Sequence, residues 1–295
     1  MAALTTAPAS SSSLATPQAP PPATMKSKPA AAPVSILPGQ FAQIYSLIHP
    51  ALLLSLLVLR FGSVIDDPVT ELLHDLPILV VLQVAFAMIC LPPAGAAKPS
   101  SSPPSAQGEA STAVAEEKTT ASRKIGSRRR HAAGKSSSSP SMMGCICAKL
   151  TPALLSLTLT SLLATPVLSI LLILFGAPLR THHALTLLCA AHMALLACFP
   201  LIYVHGVDGP IWREIWAVSR PVDSVSAGAL GTCLGAWFGA VPIPLDWDRP
   251  WQAYPITILT GAYLGHLVGV LGGRSEWVFG KRIDFTKEER NVKVE

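Results

Sequence analysis

The chain has 295 residues, 50% of them apolar and only 13% charged, against ~25% charged in an ordinary soluble domain. A mean hydropathy of +0.47 excludes a disordered chain, and long runs free of Asp, Glu, Lys and Arg exclude a water-soluble enzyme of this size. The net charge of +5 and the 27 prolines are unevenly spread, with Pro, Ser and Ala gathered in two stretches that surround strongly apolar runs.

In chain order, residues 1–40 predict a disordered tail, and residues 41–92 hold two membrane spans, Phe41 to Phe61 and Leu72 to Leu91. Residues 93–149 form a basic Ser/Pro-rich linker with Arg123-Lys124 and Arg128-Arg129-Arg130, too poor in large apolar side chains to fold. Residues 150–273 hold four more spans: Leu150 to Phe175, His183 to Val204, Ser224 to Val241 and Ala253 to Gly273. Each span approaches the ~20 residues a bilayer core requires, and residues 274–295 form a polar tail. The fold class is therefore all-α, a polytopic membrane protein of six transmembrane helices. Pro50, Pro166 and Pro200 fall inside spans, where neighbouring helices can satisfy a freed carbonyl.

Charge orients the chain. Most of the 22 Lys and Arg lie in the N-terminal tail, the linker, the Arg213/Arg220 loop and the C-terminal tail, whereas Arg60, Arg180 and Arg249 lie on the opposite side. The positive-inside bias places both termini in the cytosol and the Pro242 to Gln252 loop across the membrane. The basic linker can also touch anionic lipid. Gly134-Lys135-Ser136 lacks the leading glycine of a phosphate loop, since Arg129 stands in its place. The six cysteines lie mostly in apolar runs and define no disulfide framework. Cys145 and Cys147 precede the third span, as palmitoylation candidates or as ordinary thiols.

Three groups of residues stand out. Gly231, Gly235 and Gly239 on the fifth span, and Gly261, Gly265 and Gly269 on the sixth, recur every four residues. That spacing puts each set on one helix face and admits another backbone, either the neighbouring helix or a partner's. Between them runs Pro242-Ile243-Pro244-Leu245-Asp246-Trp247-Asp248-Arg249-Pro250-Trp251-Gln252. Asp246 and Asp248 offer oxygen ligands and Arg249 a phosphate contact, yet two carboxylates make a thin metal site. Trp247 and Trp251 suit an interface, so a structural loop or a lipid or partner contact are the readings. His192 and His266 lie within spans, where each either bonds a neighbouring helix or meets a lipid headgroup. His182-His183 has no second ligand cluster, no Gly-x-Ser-x-Gly elbow occurs, and no metal or cofactor is expected.

From Gly231-Thr232-Cys233-Leu234-Gly235-Ala236-Trp237 through the Pro242 to Gln252 loop to Tyr254-Pro255-Ile256 and Gly261, Gly265 and Gly269, the sequence resembles the PIG-F family of GPI-anchor biosynthesis proteins. The long tail and linker depart from the family's compact form. The resemblance implies a non-catalytic endoplasmic-reticulum membrane subunit that binds and stabilises ethanolamine phosphate transferases. In that family the transferase partner carries the metal-dependent active site and adds ethanolamine phosphate to GPI mannoses in the lumen. The expected partners are those catalytic subunits, membrane lipids and a GPI intermediate, with no nucleic acid. The expected docking surface is the glycine faces, with Asp246, Asp248 and Arg249 locking the lumenal end. Other classes compatible with the residues are a lipid-headgroup enzyme and a lipid transporter or scramblase.

Overall fold

The computed structural model describes residues 32–95, 142–245 and 248–282, and among them every regular element is helical. Most of the tail and linker expected to be disordered lie outside the described residues, as do Asp246 and Trp247.

Helix α1 (Gln40–Leu59) leads through the short α2 (Phe61–Asp66) into α3 (Pro68–Cys90). Asp67 starts α3 by accepting the Thr70 amide at 3.3 Å, with Pro68 in the first turn, where its missing N–H costs nothing. Helix α4 (Met142–Leu159) runs through a π turn at Thr160–Ala164 into α5 (Thr165–Leu174). Helix α6 (His183–Met193) likewise passes through a π turn at Ala194–Cys198 into α7 (Phe199–His205). Both π turns have one cause. Pro166 and Pro200 donate no N–H and crowd the carbonyl four residues back, at Leu162 and Leu196, and the ladder absorbs this by widening one turn. Thr165 compensates by donating its hydroxyl to the Thr160 carbonyl at 3.1 Å. The two wide turns pack together, and α6–α7 is the most enclosed of the long helices.

Helix α8 (Gly209–Trp216) is short and amphipathic, with the Trp212 indole bonded to the Gly206 carbonyl at 2.8 Å and Trp216 exposed. Helix α9 (Ser224–Ala240) opens on a capping box: Asp223 accepts the Val225 and Ser226 amides, and Ser226 Oγ in return accepts the Asp223 amide. A single 3-10 turn, Pro250–Gln252, precedes α10 (Ile256–Arg274).

Among the described residues five helices are long and apolar enough to cross a bilayer: α1, α3, Ile146–Leu174, His183–His205 and α10. The expected fifth span, Ser224 to Val241, folds as α9 with 17 residues, about 25 Å at ~1.5 Å per residue against a hydrocarbon core of ~30 Å. It lies antiparallel along α10, with Gly273 against Asp223 at one end and Gly239 against Thr257 at the other.

Three expected boundaries also move. The linker was expected to extend to residue 149, but α4 begins at Met142, and Lys149 within it donates to the Met88 carbonyl at 2.8 Å. Residues 32–39 are tied down rather than free, with Val34 N–H on Asp223 Oδ2 at 3.0 Å and Leu37 N–H on the Cys90 carbonyl at 2.9 Å. The start of the C-terminal tail is held by reciprocal bonds of Val222 with Lys281 and Gly280 at 2.9 and 2.8 Å.

Candidate functional site: the glycine pair, its loop and the polar interior

The two glycine faces meet each other. A Cβ built on Gly235 would overlap the Gly261 carbonyl oxygen and lie 2.9 Å from the Gly265 Cα. On Gly231 it would overlap the Gly265 carbonyl, and on Gly239 that of Thr257; the same holds in return for Gly261, Gly265 and Gly269. The backbones therefore touch along the whole of α9. The expectation that these glycines seat a partner's helix is corrected on steric grounds: the faces are already filled by one another.

The connecting loop is stapled from inside. Gln252 is nearly buried, and its amide Nε2 donates to the carbonyls of both Pro242 and Leu245. Tyr254 anchors the far end by donating its hydroxyl to Thr186 Oγ1 at 2.9 Å, and burial pushes that phenol up to about 12. Between these supports Pro244, Leu245, Asp248, Arg249 and Pro250 are exposed, while Pro242 and Trp251 are half-buried. Asp248 has φ 48°, a left-handed conformation unusual for a residue other than glycine. Pairing of Asp246 with Asp248 lies outside the described residues. Among the described residues no group of three His, Cys, Asp or Glu side chains is placed to hold a metal.

The interior histidines are built into the packing. His192 is 1% exposed, with Nε2 on the Leu72 carbonyl and Nδ1 on the Tyr263 hydroxyl, both at 3.0 Å. A carbonyl only accepts, so Nε2 carries the proton and Nδ1 receives the tyrosine's. Both nitrogens are occupied by neighbouring helices, the first of the two readings given for His192. His266 Nδ1 lies 3.2 Å from Thr232 Oγ1, whose own proton goes to the Gly228 carbonyl at 2.8 Å, so the imidazole is the donor. This bond adds a polar tie to the α9–α10 contact.

One cluster escaped the sequence reading. Arg60, at the end of α1, donates to Glu71 and lies 3.2 Å from Asp75, one helical turn further along α3. The neighbouring Glu71 carboxylate holds the Arg60 guanidinium above its usual value. Asp75 is 2% exposed. The signal was available, since Glu71 and Asp75 stand four apart at the head of an apolar helix, the spacing that stacks them on one face.

This is an all-helical protein of several membrane-length helices, organised around a backbone-to-backbone helix pair with an exposed loop at its end. The GPI biosynthesis protein family Pig-F matches residues 48–274, and the chain belongs to that family. It is 60% identical over 280 residues to Glycosylphosphatidylinositol anchor biosynthesis protein 11 of Aspergillus fumigatus, covering 94% of this chain and 93% of that one. The protein of the same name in Neurospora crassa is 40% identical over 246 residues, covering 83% of this chain and 79% of the relative. A human relative, named GPI ethanolamine phosphate transferase, stabilizing subunit, is 31% identical over 121 residues, 40% of this chain and 55% of the human one. No solved structure matches.

Proposed function

We propose that this chain is a non-catalytic, multi-pass subunit of the endoplasmic-reticulum membrane that binds and stabilises the transferases adding ethanolamine phosphate to GPI mannoses. The likeness to the human stabilizing subunit carries this reading. The interior is consistent with it, since the buried His192 is spent on structural bonds.

In this reading α9 serves as a sixth crossing, both chain termini face the cytosol, and the Pro242 to Gln252 loop faces the lumen, as the distribution of Lys and Arg favours. The glycines act at one remove. They fuse α9 and α10 into one rigid unit, whose outer surface carries exposed Leu230, Leu234, Trp237 and Phe238 on α9 and Val268 on α10. The transferase's membrane helix meets that outer surface, while Asp248 and Arg249 on the exposed loop contact its lumenal part.

The test is a mild-detergent pull-down of the tagged full-length chain, with ethanolamine phosphate transfer assayed on the eluate and on the chain alone. A transferase should co-elute, and only the complex should be active. A Trp237→Ala, Phe238→Ala double variant should lose the transferase while keeping its own thermal stability. Activity of the chain by itself, or lipid movement by the chain in liposomes, would overturn the accessory role.

A further inference from the structure

A cavity of about 250 Å³ opens where α1 begins and α10 ends, at the opposite end of the α9–α10 pair from the Pro242 to Gln252 loop. Its polar side is formed by Ser35, Gln43, Ser224 and Arg274, and its apolar side by Ile36 and Phe279. Three separate parts of the chain build it. The segment before α1 is fixed by the bonds of Val34 and Leu37, the turn after α10 by the Gly280 and Lys281 bonds to Val222, and α9 begins between them at Ser224.

The charge balance of this cavity is unusual. Arg274 donates to the Ser46 hydroxyl and, at 3.4 Å, to Gln43 Oε1. Both acceptors are neutral, and among the described residues Arg274 forms no ion pair, whereas Arg60 and Arg220 each have a carboxylate. The carboxylate beside this turn, Asp223, accepts the amides of Val34, Val225 and Ser226 at 3.0, 3.0 and 2.8 Å and forms no ion pair with Arg274. A guanidinium has five N–H donors in a rigid fork. Two neutral bonds hold that fork in position at a cavity wall and leave its charge uncompensated. Lys149 adds a second positive charge at this end of the bundle, beside the last turn of α3.

The setting decides what anion fits. The cavity lies at the ends of two membrane-length helices, where the phosphates of a bilayer are densest, and pairs its cation with an apolar wall. We propose that it binds the phosphate of an anionic glycerophospholipid: Arg274 takes the phosphate oxygens, the Ser35 and Ser224 hydroxyls donate to them, and Ile36 and Phe279 pack against the glycerol and first acyl carbons. The site lies at the opposite end of the α9–α10 pair from the loop assigned to the transferase and does not depend on that assignment.

Binding is read on the purified full-length chain in detergent, as a saturable rise in melting temperature and as a retained adduct in native mass spectrometry. The probes are dihexanoyl phosphatidylserine, dihexanoyl phosphatidylcholine and inorganic phosphate. Saturable stabilisation by the phosphatidylserine at a concentration where inorganic phosphate has no effect is the expected result. Arg274→Gln should weaken it about tenfold or more, the scale of one charge-assisted contact. Gln43→Glu, which gives Arg274 an ion-pair partner in place while keeping the fold, should weaken it as much without lowering the unliganded melting temperature. Arg213→Gln, on the exposed face of α8, should leave it unchanged. Equal stabilisation by inorganic phosphate would make this a free-phosphate site and overturn the lipid assignment. Absence of saturation, or equal binding in the Arg274→Gln and Gln43→Glu variants, would overturn the site itself. Transferase co-purification is a separate readout, so its failure and this one are distinguishable.

Discussion

Replacing Gly235 with alanine adds one methyl group where no space exists. The new carbon would overlap the Gly261 carbonyl and press on the Gly265 Cα at 2.9 Å, so relief requires moving backbone rather than rotating a side chain. Overpacking costs ~1–3 kcal/mol where side chains can adjust, and two facing backbones place this site at the upper end. Alanine also returns ~1 kcal/mol of helix propensity over glycine. The matched reference is Gly272→Ala on α10, where an added Cβ meets nothing within 4 Å and only the propensity gain applies. The two variants should therefore differ by ~3 kcal/mol, since the propensity gain is common to both. At ~2–4 °C per kcal/mol for a chain of this size, Gly235→Ala should melt about 6–12 °C below Gly272→Ala. Thermal unfolding of both purified variants in the same detergent, followed by tryptophan fluorescence, measures the gap. Equal melting temperatures would refute the backbone contact and return the glycine faces to a partner.

Other outcomes follow from the polar ties. His192→Leu removes the bonds to the Leu72 carbonyl and the Tyr263 hydroxyl and should cost ~1–2 kcal/mol within a membrane interior, read as a lower melting temperature; an unchanged value would mean those bonds are not made. Arg60→Gln leaves Asp75 buried without its cation and should lower the melting temperature, by less than the loss of a fully buried pair because Arg60 is partly exposed. Adding Asp75→Asn to that variant should recover most of the loss, and a strictly additive double variant would refute the coupling. The Thr70 hydrogen bond holds the Asp67 carboxyl below the usual carboxylate range, so its capping contribution is complete above the unfolded value of ~3.9 and is lost as pH falls through the lower folded value. The Thr70 amide resonance should shift over that acid window, and Asp67→Asn should abolish the shift. Gln252→Ala removes both bonds to the Pro242 and Leu245 carbonyls, so limited proteolysis within the loop should accelerate while α9–α10 stability holds.

Periodicity carried the architecture because a helix in lipid must be apolar over its whole length and cannot be interrupted by charge. The ends of α1, α3, α6–α7 and α10 fall within a few residues of the expected spans for that reason. The four-residue glycine spacing likewise fixed which faces would approach closely, but could not choose between two equally good partners. That choice depends on the short loop holding α9 antiparallel to α10, which only the folded chain displays. The π turns were illegible because a proline in a span signals a disturbance without saying whether the ladder kinks or widens. Asp75 was passed over because one carboxylate in an apolar run is diluted by its neighbours, and its cation, Arg60, lies on a different helix.

In a bilayer, lipid tails are as apolar as leucine, so burying leucines between helices supplies little association energy and close packing and polar ties must supply it. The α9–α10 pair uses both, in glycine backbones that touch and in the His266 to Thr232 bond that crosses the contact. Its far end is continuous with the loop, since Gln252 gathers the Pro242 and Leu245 carbonyls directly after α9, and Tyr254 ties the approach to α10 onto Thr186. Between Gly235 and Gly261 and the loop stands only the close Gly239 contact with Thr257. A subunit whose role is to hold a partner's membrane helix and lumenal part in fixed relation needs that coupling. In the proposed function the glycines act on binding by making the surface and the loop a single body.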